Sequence, residues 1–374
     1  MKKTGFDSLD KALKPLFKNA LEKKVFSGAA TAVFFKERGE EKRLIQSFGK
    51  TRNDRKGTKI NNKTLFDLAS LTKSLCTTLC ILSLIENEKL DWKFCLKDVI
   101  KDKIPLSLQE INIEQLLSHS SGLIDYRPFF RDFEPVYCKK TKKNILRAVF
   151  NEPLAYRPGE KCLYSDLGYI ILGEIVEQVS GKNLDRYFER EITKPLRLEK
   201  KIFFRPISSS KEKQVTNIAA TEKCPWRKKI LQGEVHDEHC WLMGGIAGHA
   251  GIFGTAGGVL TMTENILNQW QGKREHPAYS KRLLQKALGW KKKKQTWSMG
   301  FDRPSATSSS AGNYFSPTSI GHLGYTGTSF WIDPERELIV VLLTNRIHPT
   351  RKNEKIKKFR PFFHDTVVKS LGIQ

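Results

Sequence analysis

The chain has 374 residues, 39% of them hydrophobic, which suffices for a sizeable core in one large domain or two interwoven ones. Its 65 basic and 40 acidic residues give a formal charge of +25. Its seven cysteines lack the paired spacing of a disulfide framework or a Cys-x-x-Cys metal site. The composition therefore indicates a globular protein without disulfide staples, and we expect its thiols to be buried and reduced.

The positive charge is compatible with binding to nucleic acid, an anionic envelope polymer or an acidic membrane surface, and equally with a lysine-biased proteome. The lysines are scattered from end to end, and the only dense run, Lys291 to Lys294, has no interleaved aromatic residues. We therefore expect the lysines to lie solvated on the protein surface rather than to bind nucleic acid specifically.

The amino-terminal stretch predicts a helix and a β-hairpin. Met1 to Lys3 resemble the start of a signal peptide, but Thr4 to Lys24 is an amphipathic helical pattern interrupted by charges and by Pro15. No stretch approaches the length of a membrane span, so we expect a cytoplasmic protein. Gly28 to Lys36 and Arg43 to Gly49 then predict two antiparallel strands joined by a turn.

A hydroxyl and an amine stand one helical turn apart after this hairpin. Ser70 and Lys73 occupy positions i and i+3 before a segment, Ser74 to Leu90, whose apolar residues recur at helical spacing. On one helix face the amine can take the proton of an attacking hydroxyl, which is the chemistry of a serine acyltransferase. The first helical turn also offers unpaired N–H groups to a developing oxyanion. The alternative is a helix cap followed by a solvated lysine.

The remaining chain predicts mainly helices, then strands. Between Leu90 and about Trp290 the helical patterns lie at Ile113 to Ser118, Lys143 to Phe150, Gly168 to Ser180, Leu184 to Glu191 and Thr263 to Trp270. Strand patterns return at Trp297 to Phe301, Gly324 to Ile332 and Glu337 to Thr344, before a final helix from Pro361 to Leu371. We therefore expect one unit: an α/β part of residues 1–68 and 290–374 with a sheet from both termini, and a mostly helical part of residues 69–289.

Two further motifs carry candidate chemistry. Tyr164, Ser165 and Asp166 precede an apolar helical run, where the tyrosine can shuttle protons if a nearby ammonium lowers its pKa. Ser165 or Asp166 can equally be a simple helix N-cap. Gly321 to Thr328 precedes an apolar strand, and a free N–H in this glycine-rich stretch would complete an oxyanion hole with that of Ser70. The structural alternative is an edge strand entered through a turn.

Together these motifs resemble the serine β-lactamase and penicillin-binding-protein superfamily, within it the branch of class C β-lactamases, DD-peptidases and similar esterases. The resemblance covers nearly the whole chain and includes Leu116 to Leu123, Gly233 to Asp237, Gly244 to Gly251 and Leu343 to Arg346. It implies an α/β (α+β) fold of the β-lactamase/transpeptidase type, with an antiparallel sheet flanked by helices and a helical insertion. It also implies a serine hydrolase that needs no cofactor and no metal.

By this resemblance Ser70 is the nucleophile, Lys73 the amine that helps deprotonate it, and Tyr164 the second proton carrier. Tyr164 would activate first Ser70 and later the hydrolytic water. Gly324 and Tyr325 would border the oxyanion hole, the backbone N–H of Tyr325 joining that of Ser70.

Two positions depart from the family pattern. His322 stands where many relatives have lysine, and a mostly neutral histidine is a weaker partner for a substrate carboxylate. Asp166 stands where they have a substrate-facing asparagine, and it adds negative charge in place of an amide donor. Both weaken β-lactam hydrolysis and D-alanyl-D-alanine recognition while leaving acyl-enzyme chemistry intact.

We therefore expect a serine hydrolase acting on esters, amides, small peptides with a D-residue or, slowly, β-lactams. Its partner would be a small-molecule or peptide substrate, with no specific nucleic acid and no membrane span. The competing hypotheses are a non-catalytic binding protein of the same fold and a basic protein that binds polyanions.

The stretch His236 to His239 holds two histidines and two carboxylates and is a weak candidate for a metal site. Because the spacing places no third ligand, we expect a structural contact between His236 and Asp237 instead. His119 is expected to orient a loop. Gly244 to Gly258 lacks the Gly-Lys-Ser/Thr of a phosphate-binding loop.

Overall fold

The computed structural model describes residues 5–207, 217–291 and 295–374. The strands are β1 (Gly28–Glu37), β2 (Glu40–Gly49), β3 (Phe66–Asp67), β4 (Ile202–Phe204), β5 (Lys223–Cys224), β6 (Lys229–Ile230), β7 (Ile252–Gly254), β8 (Ile320–Leu323), β9 (Ser329–Asp333) and β10 (Leu338–Thr344). The α-helices are α1 (Gly5–Glu22), α2 (Leu79–Glu86), α3 (Leu96–Val99), α4 (Leu106–Gln109), α5 (Ile113–Leu117), α6 (Lys139–Asn151), α7 (Asp166–Ser180), α8 (Leu184–Phe188), α9 (Glu238–Leu242), α10 (Ala256–Gln271), α11 (Lys281–Gly289) and α12 (Ile356–Leu371). The signal-like Met1 to Lys3 and residues 292–294 of the lysine run lie outside the described residues.

The main sheet joins the two ends of the chain. Its five strands run in the order β2-β1-β10-β9-β8, and neighbouring strands are antiparallel. In the central pair Ala29 lies opposite Thr344 and Phe34 opposite Ile339. The predicted hairpin and the predicted sheet from both termini are therefore confirmed. Smaller sheets, β3-β7-β4 and β5-β6, lie in the middle of the chain.

Both faces of this sheet are covered, which explains the unbroken apolar sequence of β10. Val340 and Leu342 on one face join a cluster with α1 and α12, where Phe17 stacks on Phe48 with ring centroids 4.2 Å apart. Val341 and neighbouring side chains of the other face join the large core to which α2, α7 and α10 contribute. Among the helices of the described ranges, none is both long and apolar enough to cross a bilayer.

Near the carboxyl end one strand prediction was wrong and another was too long. Trp297 to Phe301 is irregular, because Gly300 has a φ of +85° and donates its N–H to Leu117 O at 3.0 Å. The stretch Gly324 to Ile332 is a strand only from Ser329 onward, and its first residues form the turn between β8 and β9. In the first stretch the N–H groups of Met299 and Gly300 bond to other segments, and in the second the N–H groups of Gly324 and Gly327 bond within the turn.

All seven cysteines lie in the described ranges and none is in a disulfide, but not all are buried. Cys95 and Cys162 are partly exposed and Cys138 is exposed, so the expectation of uniform burial was wrong. The buried thiols are Cys76, Cys80, Cys224 and Cys240.

Close backbone packing fixes the middle of the molecule. The backbone of Gly248 packs directly against helix α7. A Cβ on Gly173, which lies in that helix, would be 2.9 Å from the Gly248 Cα. A Cβ on Gly248 would lie 2.0 Å from the Tyr169 carbonyl oxygen. Glycine at both positions therefore lets the loop from Gly244 to Gly251 lie directly on α7.

We expect the titration of Asp302 to make the free energy of unfolding depend on pH. Its backbone N–H donates to Gly321 O at 2.8 Å, next to the edge strand β8. Burial raises the pKa of Asp302 to about 6, although hydrogen bonds from Thr296 and from the Arg303 N–H lower it. Between about pH 4 and pH 6 the folded chain keeps a proton that the unfolded chain releases, so the free energy of unfolding falls as the pH rises.

We predict that Asp302→Asn removes this fall, which amounts to about 3 kcal/mol, and makes the chain more stable than wild type at pH 7. Urea unfolding at a series of pH values measures it. Asp102→Asn, at an exposed aspartate, is the control for loss of charge alone. An unchanged slope in the Asp302 variant would contradict the prediction.

Candidate active site

Ser70 lies at the junction between strand β3 and the first turn of a long helix. The preceding residue, Ala69, has a φ of +49°, a left-handed conformation that a non-glycine residue rarely adopts. Its N–H donates to Asp67 Oδ1 at 2.9 Å, which holds the turn in place. The helix then continues through a π-helical stretch, Lys73–Thr78, into α2. Such π-helical turns are frequent at functional sites, and this one aims Lys73 toward Ser70.

Lys73 is the most deeply buried charge of the site, with no solvent-exposed surface. Its Nζ lies 3.2 Å from Ser70 Oγ, 2.6 Å from Asp166 Oδ1 and 3.2 Å from the His249 carbonyl oxygen. Burial lowers the pKa of Lys73, but the adjacent Asp166 carboxylate outweighs it, so that the pKa is raised overall. The resting site therefore holds Lys73 as an ammonium ion paired with Asp166.

Tyr164 lies over this ammonium group. Lys73 Nζ is 4.8 Å from the centroid of the Tyr164 ring. Burial raises the pKa of Tyr164 to about 12, although the charge of Lys73 opposes the rise. The phenol is therefore neutral at pH 7 and can donate a hydrogen bond or relay a proton.

Ser165 anchors the segment that carries Tyr164 and Asp166. Its Oγ accepts from the Gly168 N–H at 3.2 Å, as the N-cap of α7, and donates to Ile124 O at 2.6 Å. Its own N–H donates to His119 Nδ1 at 3.1 Å. The predicted N-cap is confirmed, and it occurs in the same turn as the candidate tyrosine.

The rings of His119 and Trp297 pack against the ring of Tyr164. The His119 ring centroid is 4.8 Å from that of Tyr164, and the Trp297 centroid is 5.2 Å from it. Burial lowers the pKa of His119 well below its ordinary value, with a smaller effect of Lys73, so the imidazole is neutral. His119 thus contacts both the Ser165 N–H and the Tyr164 ring, and its role in orienting the loop stays a prediction.

The turn after β8 docks beside Ser70. Thr326 Oγ1 donates to Asp67 O at 2.8 Å, and Thr328 Oγ1 donates to Leu68 O at 3.1 Å. A Cβ on Gly324 would lie 2.7 Å from that same Leu68 oxygen, so only glycine allows this approach. Within the described residues, the backbone N–H groups of Ser70 and Tyr325 have no hydrogen-bond partner in the protein. Two free donors thus lie on adjacent segments.

His322 is buried behind these groups. Its Nδ1 donates to the Leu323 carbonyl oxygen at 2.8 Å, and its Nε2 has no hydrogen-bond partner among the described residues. Burial, with the charge of Lys73, lowers the pKa of His322 to about 3. The imidazole is therefore neutral and offers a lone pair, not a positive charge.

The structure thus brings Ser70, Lys73, Tyr164 and Asp166 into one cluster, with His322 and the Gly324–Tyr325 turn beside it. Asp166 contacts Lys73, a pairing that no sequence pattern indicated. The other groups that sequence reasoning missed are the His249 carbonyl, the Trp297 ring and the hydroxyls of Thr326 and Thr328. These groups belong to segments distant in sequence, so only the folded structure reveals that they lie together.

His236 and Asp237 do not pair as expected. His236 Nε2 lies 3.1 Å from Glu222 Oε2, and its ring stacks on Tyr325 with centroids 5.7 Å apart. Asp237 Oδ1 instead lies 2.8 Å from His249 Nε2. The two neighbouring residues therefore point to different partners.

Comparison with known proteins agrees with this geometry. The family model described as Beta-lactamase matches residues 13–360. This chain belongs to the β-lactamase family. An N-acetylmuramyl-L-alanine amidase of Bacillus subtilis is 33% identical over 321 residues, covering 79% of this chain and 70% of that protein. A putative D-alanyl-D-alanine carboxypeptidase of Escherichia coli K12 is 31% identical over 324 residues, covering 78% and 71%.

A solved structure of a class C β-lactamase confirms the fold. It superposes with a TM-score of 0.73 at 16% identity and covers 99% of this chain and 100% of that one. The β-lactamase/transpeptidase fold expected from the sequence is therefore confirmed, together with the superfamily resemblance. The roles of the individual site residues stay predictions.

We predict that Ser165→Ala displaces the Tyr164 and Asp166 side chains because it removes both the N-cap and the bond to Ile124. The variant should lose about 1 kcal/mol of unfolding free energy and react with a fluorophosphonate about 10-fold more slowly. Ser280→Ala, which removes the remote N-cap of α11, is the matched control and should lose stability only. Equal labelling rates in all three proteins would contradict the prediction.

Proposed function

We propose that this β-lactamase-family chain hydrolyses a carbonyl substrate through an acyl-enzyme on Ser70. One observation carries the proposal: the buried Lys73 Nζ lies 3.2 Å from Ser70 Oγ and 2.6 Å from Asp166 Oδ1. A hydroxyl, an amine and a carboxylate in successive contact form a path along which a proton can leave the nucleophile. Ser70 itself is only partly buried.

The proposed acylation begins when Ser70 Oγ attacks the carbonyl carbon. Because Lys73 rests as an ammonium ion, it takes the Ser70 proton only as it passes one of its own to Asp166. The tetrahedral oxyanion is stabilised by the free N–H groups of Ser70 and Tyr325. Tyr164 then relays a proton from Lys73 to the leaving group while Asp166 returns its own proton to Lys73, and departure of the leaving group leaves the acyl-enzyme.

Deacylation reverses these roles. Water attacks the acyl carbon and gives a proton through Tyr164 to Lys73 as Lys73 passes one of its own to Asp166, and the bond to Ser70 Oγ breaks as that proton returns through Lys73 to Ser70. The products are the free acid and the regenerated enzyme. If an alcohol or amine takes the place of water, the same steps transfer the acyl group.

The proposed substrates are esters, amides and small peptides with a D-residue, with β-lactams as slow substrates. Two relatives named for an amidase and a D-alanyl-D-alanine carboxypeptidase support an amide or peptide bond. The neutral His322 and the Lys73-bound Asp166 weigh against a site built around a substrate carboxylate. We also propose that the protein is cytoplasmic.

The experiment that tests this proposal is intact-protein mass spectrometry after exposure to a fluorophosphonate, a p-nitrophenyl ester and a penicillin. Wild type should gain one fluorophosphonate mass on Ser70, turn over the ester and keep no lasting penicilloyl mass. A persistent penicilloyl adduct would instead point to a penicillin-binding peptidase. No adduct on folded protein would favour a non-catalytic binding protein.

We predict that Ser70→Ala lowers ester turnover by about 10⁴-fold or more, and that Asp166→Asn lowers it by about 100-fold because Lys73 loses its proton acceptor. Ser280→Ala, distant from the site, is the control and should turn over as wild type. A Ser70→Ala variant that kept its activity would overturn the enzymatic proposal. Retention on a polyanion column that falls with salt but ignores Ser70 would support polyanion binding.

A further inference from the structure

Asp67 is a buried acidic residue whose side chain binds two separate segments of the site. It ends strand β3, three residues before Ser70, and it is 2% exposed. Its Oδ1 accepts from the Ala69 N–H at 2.9 Å, and its Oδ2 accepts from the His236 N–H at 2.7 Å. Burial raises the pKa of Asp67, and these two N–H donors act against the rise. Both partners are donors, which suits a carboxylate, a group that only accepts.

The first of these bonds fixes the direction of the Ser70 N–H. Ala69 has the left-handed φ of +49°, a conformation that costs free energy in a residue with a side chain. While its N–H is held by Asp67, its carbonyl oxygen accepts from Thr72 Oγ1 at 2.6 Å and from the Thr72 N–H at 3.1 Å. Because a trans peptide is planar, fixing this carbonyl group also fixes the Ser70 N–H, which points the opposite way.

The second bond leads to the Tyr325 N–H. Asp67 holds the backbone of His236, and the His236 ring stacks on the half-exposed Tyr325 ring with centroids 5.7 Å apart and planes 21° apart. The carbonyl oxygen of Asp67 also accepts from Thr326 Oγ1 at 2.8 Å. Thr326 directly follows Tyr325 in the chain. Tyr325 is therefore held through its ring and through its neighbour, and both contacts lead back to Asp67.

The backbone of Asp67 is itself fixed by a sheet. Asp67 pairs with Phe253 of β7. The next residue, Leu68, donates its N–H to Ile252 O at 3.0 Å. The side chain of Asp67 therefore projects from a rigid element, which is the kind of support that precise positioning of a site needs.

We propose that Asp67 is a positioning residue that directs both N–H groups of the oxyanion hole. Its three oxygen atoms join the Ser70 turn, the His236 loop and the Tyr325 turn, which are distant from one another in sequence. In this role Asp67 neither contacts the substrate nor transfers a proton. The inference rests on the proposed function, because an oxyanion forms only when Ser70 attacks a carbonyl group.

This role has a kinetic signature that a merely structural carboxylate lacks. The oxyanion exists only in the transition state and the tetrahedral intermediate, so misdirected donors slow the reaction without weakening the binding of substrate. A residue that only stabilises the fold would instead lower the free energy of unfolding and leave the turnover of the folded protein unchanged.

The test compares Asp67→Asn with Asp333→Asn in the hydrolysis of p-nitrophenyl acetate. Asparagine keeps one carbonyl oxygen and turns an amide NH2 toward the second N–H, so one of the two bonds is lost. In folded Asp67→Asn we expect kcat to fall about 100-fold, with KM within about threefold of wild type. Asp333 is the matched control: it is a buried carboxylate at the far end of β9 that accepts from the Ser316 N–H at 2.8 Å. Its variant should lose stability and keep its kcat.

Two further measurements separate the explanations. His236→Ala removes the ring stacked on Tyr325 but keeps the backbone bond to Asp67, and its kcat should fall about 10-fold at unchanged KM. A crystal structure of Asp67→Asn should show the peptide between Ala69 and Ser70, or the Tyr325 turn, displaced from its wild-type position. This displacement needs no turnover, so an inactive wild type would overturn the proposed function and leave it measurable. Wild-type kcat in folded Asp67→Asn or His236→Ala, or an undisplaced backbone, would overturn the role of Asp67.

Discussion

The structure depends on one buried charge. Lys73 has no solvent access, and its ammonium group is compensated by the Asp166 carboxylate, the Ser70 hydroxyl and a backbone carbonyl. An unpaired ammonium in this position would cost several kcal/mol, so α7, which carries Asp166, must pack against the π-helical stretch that carries Lys73. The elements that stabilise the charge are the same ones that assemble the candidate site.

Sequence periodicity predicted the parts of the fold whose pattern repeats over many residues. The hairpin β1–β2, the buried strand β10 and the amphipathic helices have such patterns, and each occurs close to its predicted place. Periodicity failed near Gly300, where the backbone bonds to a distant segment, and near Gly324, where it closes a turn, because a short apolar run is not diagnostic. The order of the motifs, rather than any one of them, identified the family.

The candidate site was predictable only where the chain itself sets the distance. Ser70 and Lys73 are three residues apart, so any helical turn brings them together. The contact between Lys73 and Asp166 joins residues that are 93 positions apart in the sequence. It results from the packing of helices, which no local sequence pattern encodes. The same holds for His249, whose approach requires glycine on both sides of a helix–loop contact.

The order of the strands along the chain also affects when the sheet can form. Strand β1 pairs with β10, about 300 residues later, so one edge of β1 has no partner until β10 has been synthesised. An unpaired apolar strand is a site of aggregation, and contacts so distant in sequence form slowly. The turn that carries the Tyr325 N–H is also made late in synthesis. A growing chain thus holds its serine and lysine long before it holds the full set of groups around them.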